Sequence, residues 1–390
     1  MIVSQLSLTD FRNYASLDVE LRRGANLFVG SNGQGKTNLV ESVNYLSTMG
    51  SHRVQSDVAL IRQDQDAAII RARLVSGDRD LLVEVQINRS QPNRAQINRS
   101  AIKTRDLPRY FSSVLFAPED LALVRGDPAG RRRFMDELLV LRSPRMASVL
   151  ADYDRVLRQR NTLLKTARAS RVATDELATL EIWTDRLIQL GSEIIVARAA
   201  LVDELAPEVA RAYGQIAGAD HSPRLRNQLS ILGADAEPTD VGVEAAFGNA
   251  YEVNPDAMTT AFADALRRVR RAELDRAITL VGPHRDDLLL ELNGLPARGY
   301  ASHGESWSFA LALKLASAGI LRAESRLGDP VLILDDVFAE LDESRRGRLA
   351  SAIQDYEQVL ITAAVFGDVP EELAGHVVQI RAGAVVTDGE

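Results

Sequence analysis

The sequence predicts an α/β fold: one α/β domain interrupted by a mostly helical insertion. Three observations lead there. An apolar strand, Leu27-Phe28-Val29, runs into a glycine-rich stretch and then a helical pattern from Lys36. A second apolar strand, Val331 to Leu334, ends in two aspartates far along the chain. Between them lie long runs with apolar residues three and four apart, the period of a helix buried along one side. Strand–helix signals at both ends and helices in the middle read as a split domain. The expected boundaries are 1–115 plus 278–390 for the α/β part and 116–277 for the helical lobe.

Each element has its own signal. Ile2 to Leu8 alternates as a half-buried strand does, and Val19 to Leu21 precedes the turn Arg22-Arg23-Gly24. Leu39, Val40, Val43 and Leu46 mark one face of the helix that starts at Lys36. Residues 66–104 read as a β-meander, with Ile69-Ile70, Leu81 to Val85 and Ala95 to Ile97 as strands and Asn88 and Asn98 at turns. From 129 to 213 the pattern is helical: Leu138, Leu139, Leu141; Val149, Tyr153, Val156, Leu157; Leu177, Leu180, Trp183, Leu187, Leu190. Pro207 is expected early in a helix that follows Asp203. Residues 217–260 are mixed and loop-rich, and a basic helix runs over about 259–277. Leu288 to Leu292 is a strand before the turn Asn293-Gly294. A helix from Trp307 to Ala318 follows, and Val359 to Thr362 and Val377 to Ile380 close the chain as short strands.

Composition narrows the chemistry. The chain has 390 residues and no cysteine, which removes disulfides, thiolate metal sites, iron–sulfur clusters and cysteine nucleophiles. Five scattered histidines argue against a histidine-rich metal centre. No apolar run reaches the roughly 18 residues of a membrane span, and no leader pattern opens the chain, so a cytoplasmic protein without a membrane partner is expected. Net charge is −8, yet residues 1–150 carry 21 Lys and Arg against 16 Asp and Glu. A basic surface is therefore expected on the first part.

The motifs carry the function. Gly30-Ser31-Asn32-Gly33-Gln34-Gly35-Lys36-Thr37 matches G-x-x-x-x-G-K-[ST] between a strand and a helix. The glycines let backbone N–H groups approach phosphate oxygens. Lys36 is expected to reach the β- and γ-phosphates of ATP, and Thr37 to place its hydroxyl on Mg²⁺. Asp335 and Asp336, at the end of the second apolar strand, fit a Mg²⁺-holding carboxylate and a group that orients the attacking water. Ser302 and Gly304, in Ala301-Ser302-His303-Gly304-Glu305-Ser306, open a helix whose N-terminus suits a phosphate. This segment resembles the signature of ATP-binding cassette proteins, which contacts the γ-phosphate of ATP held by the opposite subunit and so closes a head-to-tail dimer. Leu341-Asp342 resembles the D-loop that follows.

Further segments sharpen the resemblance. Leu8-Thr9-Asp10-Phe11-Arg12-Asn13-Tyr14 precedes the glycine-rich loop, and Lys36-Thr37-Asn38-Leu39 and Ser51-His52-Arg53 follow it. Phe116-Ala117-Pro118-Glu119-Asp120-Leu121 leads to Arg131-Arg132-Arg133-Phe134-Met135-Asp136, and Gly282-Pro283-His284-Arg285-Asp286-Asp287 lies before the signature. In this order, from Met1 to about Thr362, they resemble the RecF family of DNA replication and repair proteins. The resemblance implies an ABC-type ATPase head, a P-loop NTPase, split by a mostly helical second lobe without a long coiled coil. It implies an ATP-dependent homodimer and a weak, DNA-dependent ATPase. It also implies action on double-stranded and gapped DNA together with RecR and RecO, to help load RecA. Arg12 and Asn13 are then expected on the nucleotide, with Asn38 beside them. Arg131, Arg132 and Arg133 are the first candidates for DNA contact, and Arg53, Arg71 and Arg73 the next.

The sequence departs from the pattern at His303, where the signature has a basic or small residue, and at two further places. Glu305 stands where the signature has glutamine, and its carboxylate is expected to point away from phosphate. Ala363-Ala364 stand where transporter ATPases carry a switch histidine, so hydrolysis is expected to be slow. An SMC-like structural chromosome ATPase is the alternative reading, but its long heptad arm does not fit an insertion interrupted by Pro207, Gly214 and Gly218. A transporter subunit and a nuclease fusion fit less well.

Overall fold

The computed structural model describes residues 1–170, 178–233 and 254–386. The chain forms two compact units: Met1–Arg125, Pro207–Pro223 and Ala297–Glu390 in the first, Gly126–Ala206 and Arg224–Pro296 in the second.

The first unit holds two six-stranded sheets. One is antiparallel, built from β1 (Ile2–Phe11), β2 (Tyr14–Glu20), β4 (Ala67–Ser76), β5 (Arg79–Asn88), β6 (Arg94–Ile97) and β7 (Ser100–Ile102) in the order β2-β1-β4-β5-β6-β7. The other contains β3 (Gly24–Val29), β8 (Ser113–Phe116), β12 (Val331–Asp335), β13 (Gln358–Ala363), β14 (His376–Arg381) and β15 (Ala384–Val386), in the order β15-β14-β3-β13-β12-β8. It is parallel except at β15. Strands β12 and β13 are buried at every position, as a parallel strand covered on both faces must be.

Helix α1 (Lys36–Thr48) joins the two sheets in one core. Its Leu39, Val40, Val43 and Leu46 cluster with Leu6 and Leu8 of β1, Ile70 of β4, Val83 and Val85 of β5, and Ile333 and Leu360 of the parallel sheet. Each such side chain contributes about 1.5–3 kcal/mol by leaving water. Ser42, Asn44 and Ser47 of α1 are buried too, so each needs a partner. Ser42 donates to the Leu39 carbonyl, Asn44 accepts from Ser113 Oγ, and Ser47 accepts from Ser113 N.

Between the two parts of the head the chain forms α2 (Leu121–Arg125), α3 (Pro128–Arg142), α4 (Met146–Ser170), α5 (Ala178–Ala217), β9 (Arg224–Gln228), α6 (Pro255–Arg276), β10 (Asp287–Leu292) and β11 (Leu295–Pro296). Then come α7 (His303–Glu324) and α8 (Glu343–Ile353). No extended coiled-coil arm occurs among the described residues. None of their helices is long and apolar enough to cross a membrane.

The observed division differs from the expected boundaries at three places. Helix α2 packs on α7 and so belongs to the first unit. Residues 207–223 also belong there, where Tyr213 meets Phe309 edge-on at 5.8 Å. Residues 278–296 fall in the second unit, because β10 pairs with β9. The helical pattern over 129–213 resolves into α3, α4 and α5. Extended Ser143 before Pro144 ends α3, since proline disfavours the helical conformation in the residue ahead of it. Pro207 lies inside the 40-residue α5 instead of near a helix start, at the residue where the chain passes to the first unit. Leu177 and part of the loop-rich 217–260 stretch lie outside the described residues.

Candidate functional site

The glycine-rich loop connects β3 to α1 as the sequence predicts. Gly35 precedes the helix with φ of +113°, a conformation that only glycine adopts without strain. A Cβ there would meet Asn13 Nδ2 at 2.7 Å and Tyr14 Oη at 2.8 Å. Tyr14 Oη instead donates to the Gly35 carbonyl at 3.0 Å. At Gly30 a Cβ would lie 2.3 Å from the Ile380 carbonyl oxygen of β14. The β14–β15 turn braces the loop from the same side. Gln34 accepts through Oε1 from Ala382 N and through its carbonyl from Gly383 N.

Lys36 begins α1. Its ammonium is buried and donates to the carbonyl oxygens of Gly30 (2.7 Å) and Ser31 (3.3 Å). Among the described residues no carboxylate lies within ion-pair range of it. A buried cation held only by carbonyl dipoles, beside the uncapped N–H groups of a helix start, is an anion site.

The carboxylate cluster faces the next residue. Thr37 Oγ1 donates to Asp335 Oδ1 at 2.9 Å, and Thr362 Oγ1 donates to the same oxygen at 2.7 Å. Thr362 Oγ1 also accepts from Asp336 N at 2.9 Å. Asp336 takes φ of +52°, a sparsely populated conformation of the kind that collects at functional sites. Burial pushes the Asp335 carboxyl up to about 6, against the two threonine hydrogen bonds, and the charges of Asp336 and Glu119 push the same way. These groups fit Mg²⁺. That ion takes oxygen ligands, typically one or two carboxylates plus substrate phosphates and water. No group of three or more His, Asp or Glu side chains that would cage a metal occurs among the described residues.

Asn13 lies against the loop: its amide donates to the Gln34 carbonyl (3.4 Å) and its oxygen accepts from Asn38 (2.7 Å). Asn38 in turn accepts from Arg53 at 2.9 Å. Arg12 is directed elsewhere. Its fork is bidentate on Glu41 (2.7 and 2.9 Å), and its remaining nitrogen donates to the Ala59 carbonyl. Glu41 is only 1% exposed and also accepts from Ser51.

Ser302 caps α7 in a reciprocal box with Glu305: Ser302 N donates to Glu305 Oε2 at 2.7 Å, and Glu305 N to Ser302 Oγ at 3.3 Å. The Glu305 carboxylate thus turns back onto Ser302, whose side chain and backbone N–H hold it below the usual range. His221 stands 3.6 Å away. Behind the turn, Arg345 bonds both Asp342 and Ser308 Oγ, joining the D-loop-like segment to α7. No hydrogen bond joins Ser302 or Gly304 to residues 30–37 among the described residues.

The arginines expected on DNA are engaged within the protein. Arg131 is 4% exposed and bidentate on Asp287 (2.7 and 2.8 Å). Arg132 donates to the Asp286 carbonyl at 2.7 Å, and Arg133 pairs with Glu137 one turn along. Arg71 pairs with Glu84 across β4 and β5, and Arg73 with Asp80. His284 and Arg285 brace the second unit: His284 meets Tyr153 Oη at 2.7 Å, and both reach the Thr279 carbonyl. Sequence reasoning named Gln34 within the loop but missed Thr362, Glu119 and Glu41 as site residues. Glu119 stands in one of the quoted segments without a role given to it, and only the fold relates Thr362 and Glu119 to Asp335 and pairs Glu41 with Arg12.

The chain matches the RecF/RecN/SMC N terminal domain family over residues 2–372. It is 65% identical to the DNA replication and repair protein RecF of Clavibacter sepedonicus, covering 99% of this chain and 95% of that one. The chain belongs to the RecF family. A solved structure of the recombination mediator protein RecF with ATP, in the RecFOR pathway, superposes with a TM-score of 0.84 at 26% identity, over 98% of this chain and 96% of that one. An Smc head bound to the C-winged helix domain of ScpA superposes with a TM-score of 0.53 at 13% identity, covering 99% and 96%. That likeness concerns the fold alone. The RecF reading of the sequence and its α/β head therefore hold, and the SMC likeness is distant.

Proposed function

We propose that this chain is an ATP-dependent, DNA-binding recombination mediator of DNA repair. The observation that carries the reading is the buried Lys36 ammonium, without a carboxylate partner among the described residues, at the start of α1 and beside Thr37 of the Thr37–Asp335–Thr362 cluster. A polyphosphate supplies the missing charge, and the likeness to a RecF solved with ATP supports ATP as that polyphosphate.

In this reading Lys36 and the N–H groups of residues 30–37 hold the β- and γ-phosphates. Asn13 and Asn38 border the loop. Thr37 and Asp335 would hold Mg²⁺, whose chemistry is to offset charge on the phosphate oxygens. Asp336 orients the water that attacks the γ-phosphorus, and ADP leaves. Thr362 fixes both aspartates, one by its hydroxyl proton and the other by accepting from its backbone. The Ser302–Gly304 helix start would meet the γ-phosphate held by a second copy, so that ATP closes a head-to-tail dimer on duplex DNA beside a gap. Ala363 and Ala364 supply no histidine to that phosphate, which makes turnover slow and dimer lifetime long. RecO and RecR are the partners in loading RecA, and the cytoplasm is the compartment.

The test pairs two variants. Lys36→Met should lose binding of a fluorescent ATP analogue and stay monomeric with ATP in light scattering. Asp336→Asn should bind ATP and hold the dimer longer than the wild type. ATP-dependent dimerisation in Lys36→Met that matches the wild type would overturn the reading.

A further inference from the structure

Residues 89–109 concentrate charge of one sign. Arg89, Arg94, Arg99, Lys103, Arg105 and Arg109 stand against the single carboxylate of Asp106. All six cations are exposed. Asp106 pairs with Arg109 at 3.7 Å. Arg89 bonds the Gln65 carbonyl and Arg94 the Gln91 amide oxygen, both neutral. Among the described residues no ion pair engages Arg89, Arg94, Arg99, Lys103 or Arg105. This separates them from Arg71 and Arg73 on the same sheet, whose charges Glu84 and Asp80 already offset.

The fold gathers these residues at one place. β7 is the last strand of the antiparallel sheet, and β6 and β7 form a hairpin in which Ala95 faces Ile102 and Ile97 faces Ser100. The register sets Arg94 and Lys103 next to one another at its open end. At the tip, Asn98 and Arg99 both have positive φ, +49° and +67°, the geometry of a two-residue turn whose second position favours glycine. Asn98 pins that tip through two bonds to Leu82, each 2.8 Å. An arginine thus sits where glycine would be unstrained, and strain of this kind points to a role outside the turn itself. At about 3.3 Å per strand residue the hairpin places cations over roughly 15 Å. A duplex carries about nine phosphate charges over that length.

We infer that the loop before β6, the β6–β7 hairpin and the turn after it, residues 89–109, form a surface for the phosphate backbone of duplex DNA. This rests on the DNA-binding reading above and names the face that binds. The segment contains no aromatic residue. It therefore lacks the stacking platforms by which proteins hold unpaired bases, and that favours a duplex over a single strand. Exposed, unpaired cations that contact phosphate give affinity without base preference.

The test is fluorescence anisotropy of a labelled duplex with ATP and Mg²⁺ across a salt series. The variant carries Arg94→Gln, Arg99→Gln, Lys103→Gln and Arg105→Gln. Its plot of log affinity against log salt should be shallower by roughly 3 to 4, about 0.9 for each phosphate that is no longer neutralised. Its melting temperature and DNA-free ATP hydrolysis should match the wild type. Arg99→Gly should keep or raise the melting temperature while making the slope shallower by about 0.9, a split that a purely structural arginine does not produce. Ser100→Arg should steepen the slope. A wild type that binds duplex while the fourfold variant keeps its affinity and slope overturns this surface and leaves the DNA reading standing. Loss of single-strand binding alone assigns the face to another ligand and equally overturns the inference. A wild type with no salt-sensitive duplex binding removes the inference and the DNA reading together.

Discussion

Arg12→Met separates two roles for a residue that sequence places on the nucleotide. In the structure its guanidinium fork is spent on Glu41, a carboxylate that is 1% exposed. Removing one partner of a buried ion pair leaves a charge without its counter-charge, at a cost of about 3–5 kcal/mol. Ser51 still donates to Glu41, and Arg53 remains 3.8 Å away, so about 2–3 kcal/mol is the expected net loss. Arg12→Met/Glu41→Gln removes both charges and should recover most of it, because no buried ion is then left alone. Urea unfolding midpoints of the four proteins give the coupling energy, and titration with a fluorescent ATP analogue gives nucleotide affinity. The double variant should bind ATP within a few-fold of the wild type. The reasoning is refuted if Arg12→Met loses ATP affinity at unchanged stability, or if the double variant is as unstable as the sum of the single ones.

Gly30→Ala sets a methyl 2.3 Å from the Ile380 carbonyl and should cost about 1–3 kcal/mol by overpacking, with weaker ATP binding; a wild-type unfolding midpoint would show that β14 yields freely. Burial pushes the Asp286 carboxyl up to about 6, against two hydrogen bonds from Ser230. The fold therefore prefers the protonated form. That stabilisation is complete below about pH 4 and lost as pH rises through about 6. Asp286→Asn should then raise stability at pH 7.5 by at most about 3 kcal/mol and change it little at pH 4; equal stability gains at both values, in urea titrations, would contradict this. Glu305→Gln keeps the reciprocal cap, since glutamine also fills it, and removes a carboxylate beside His221. Melting temperature should hold while ATP-dependent dimerisation tightens, and a fall in melting temperature without change in dimerisation would assign the carboxylate to folding alone.

Local chemistry was legible in the sequence wherever a short motif needs one backbone geometry. The glycine-rich loop lies between β3 and α1 because Gly35 must take positive φ and Lys36 must open the helix. Asp335 closes β12 and Asp336 follows it, because the covered positions before them favour apolar side chains. Ser302 caps α7 three residues before Glu305, a spacing visible in one dimension. What depends on distant pairing was not legible. Thr362 reaches Asp335 only because β13 runs beside β12 in register. Glu41 looks like a solvated residue on an amphipathic helix until the antiparallel sheet covers α1 and brings Arg12 to it. The lobe boundaries slipped for the same reason, since α2 and the end of α5 are helical like the insertion but pack with the head.

The arginines show how a count of charges and the partners of those charges diverge as guides to a nucleic-acid surface. Sequence ranks Arg131-Arg132-Arg133 first because three cations stand together. On a helix, however, consecutive residues point in different directions, so one enters the core, one leans on a carbonyl and one meets a carboxylate a turn away. Phosphate responds to charge that is exposed and not already compensated, and that quantity depends on partners. In the hairpin of β6 and β7 the cations are spaced out along the chain, which hides them from a search for runs. Antiparallel register then folds Arg94 and Lys103 together, with Arg99 at the turn, while the only carboxylate nearby in sequence serves Arg109. A net negative chain can thus carry a locally cationic edge. Binding there would be governed by ionic strength more than by net charge, because screening acts over about 10 Å at 0.1 M salt and most of the chain's excess carboxylates belong to residues beyond 150.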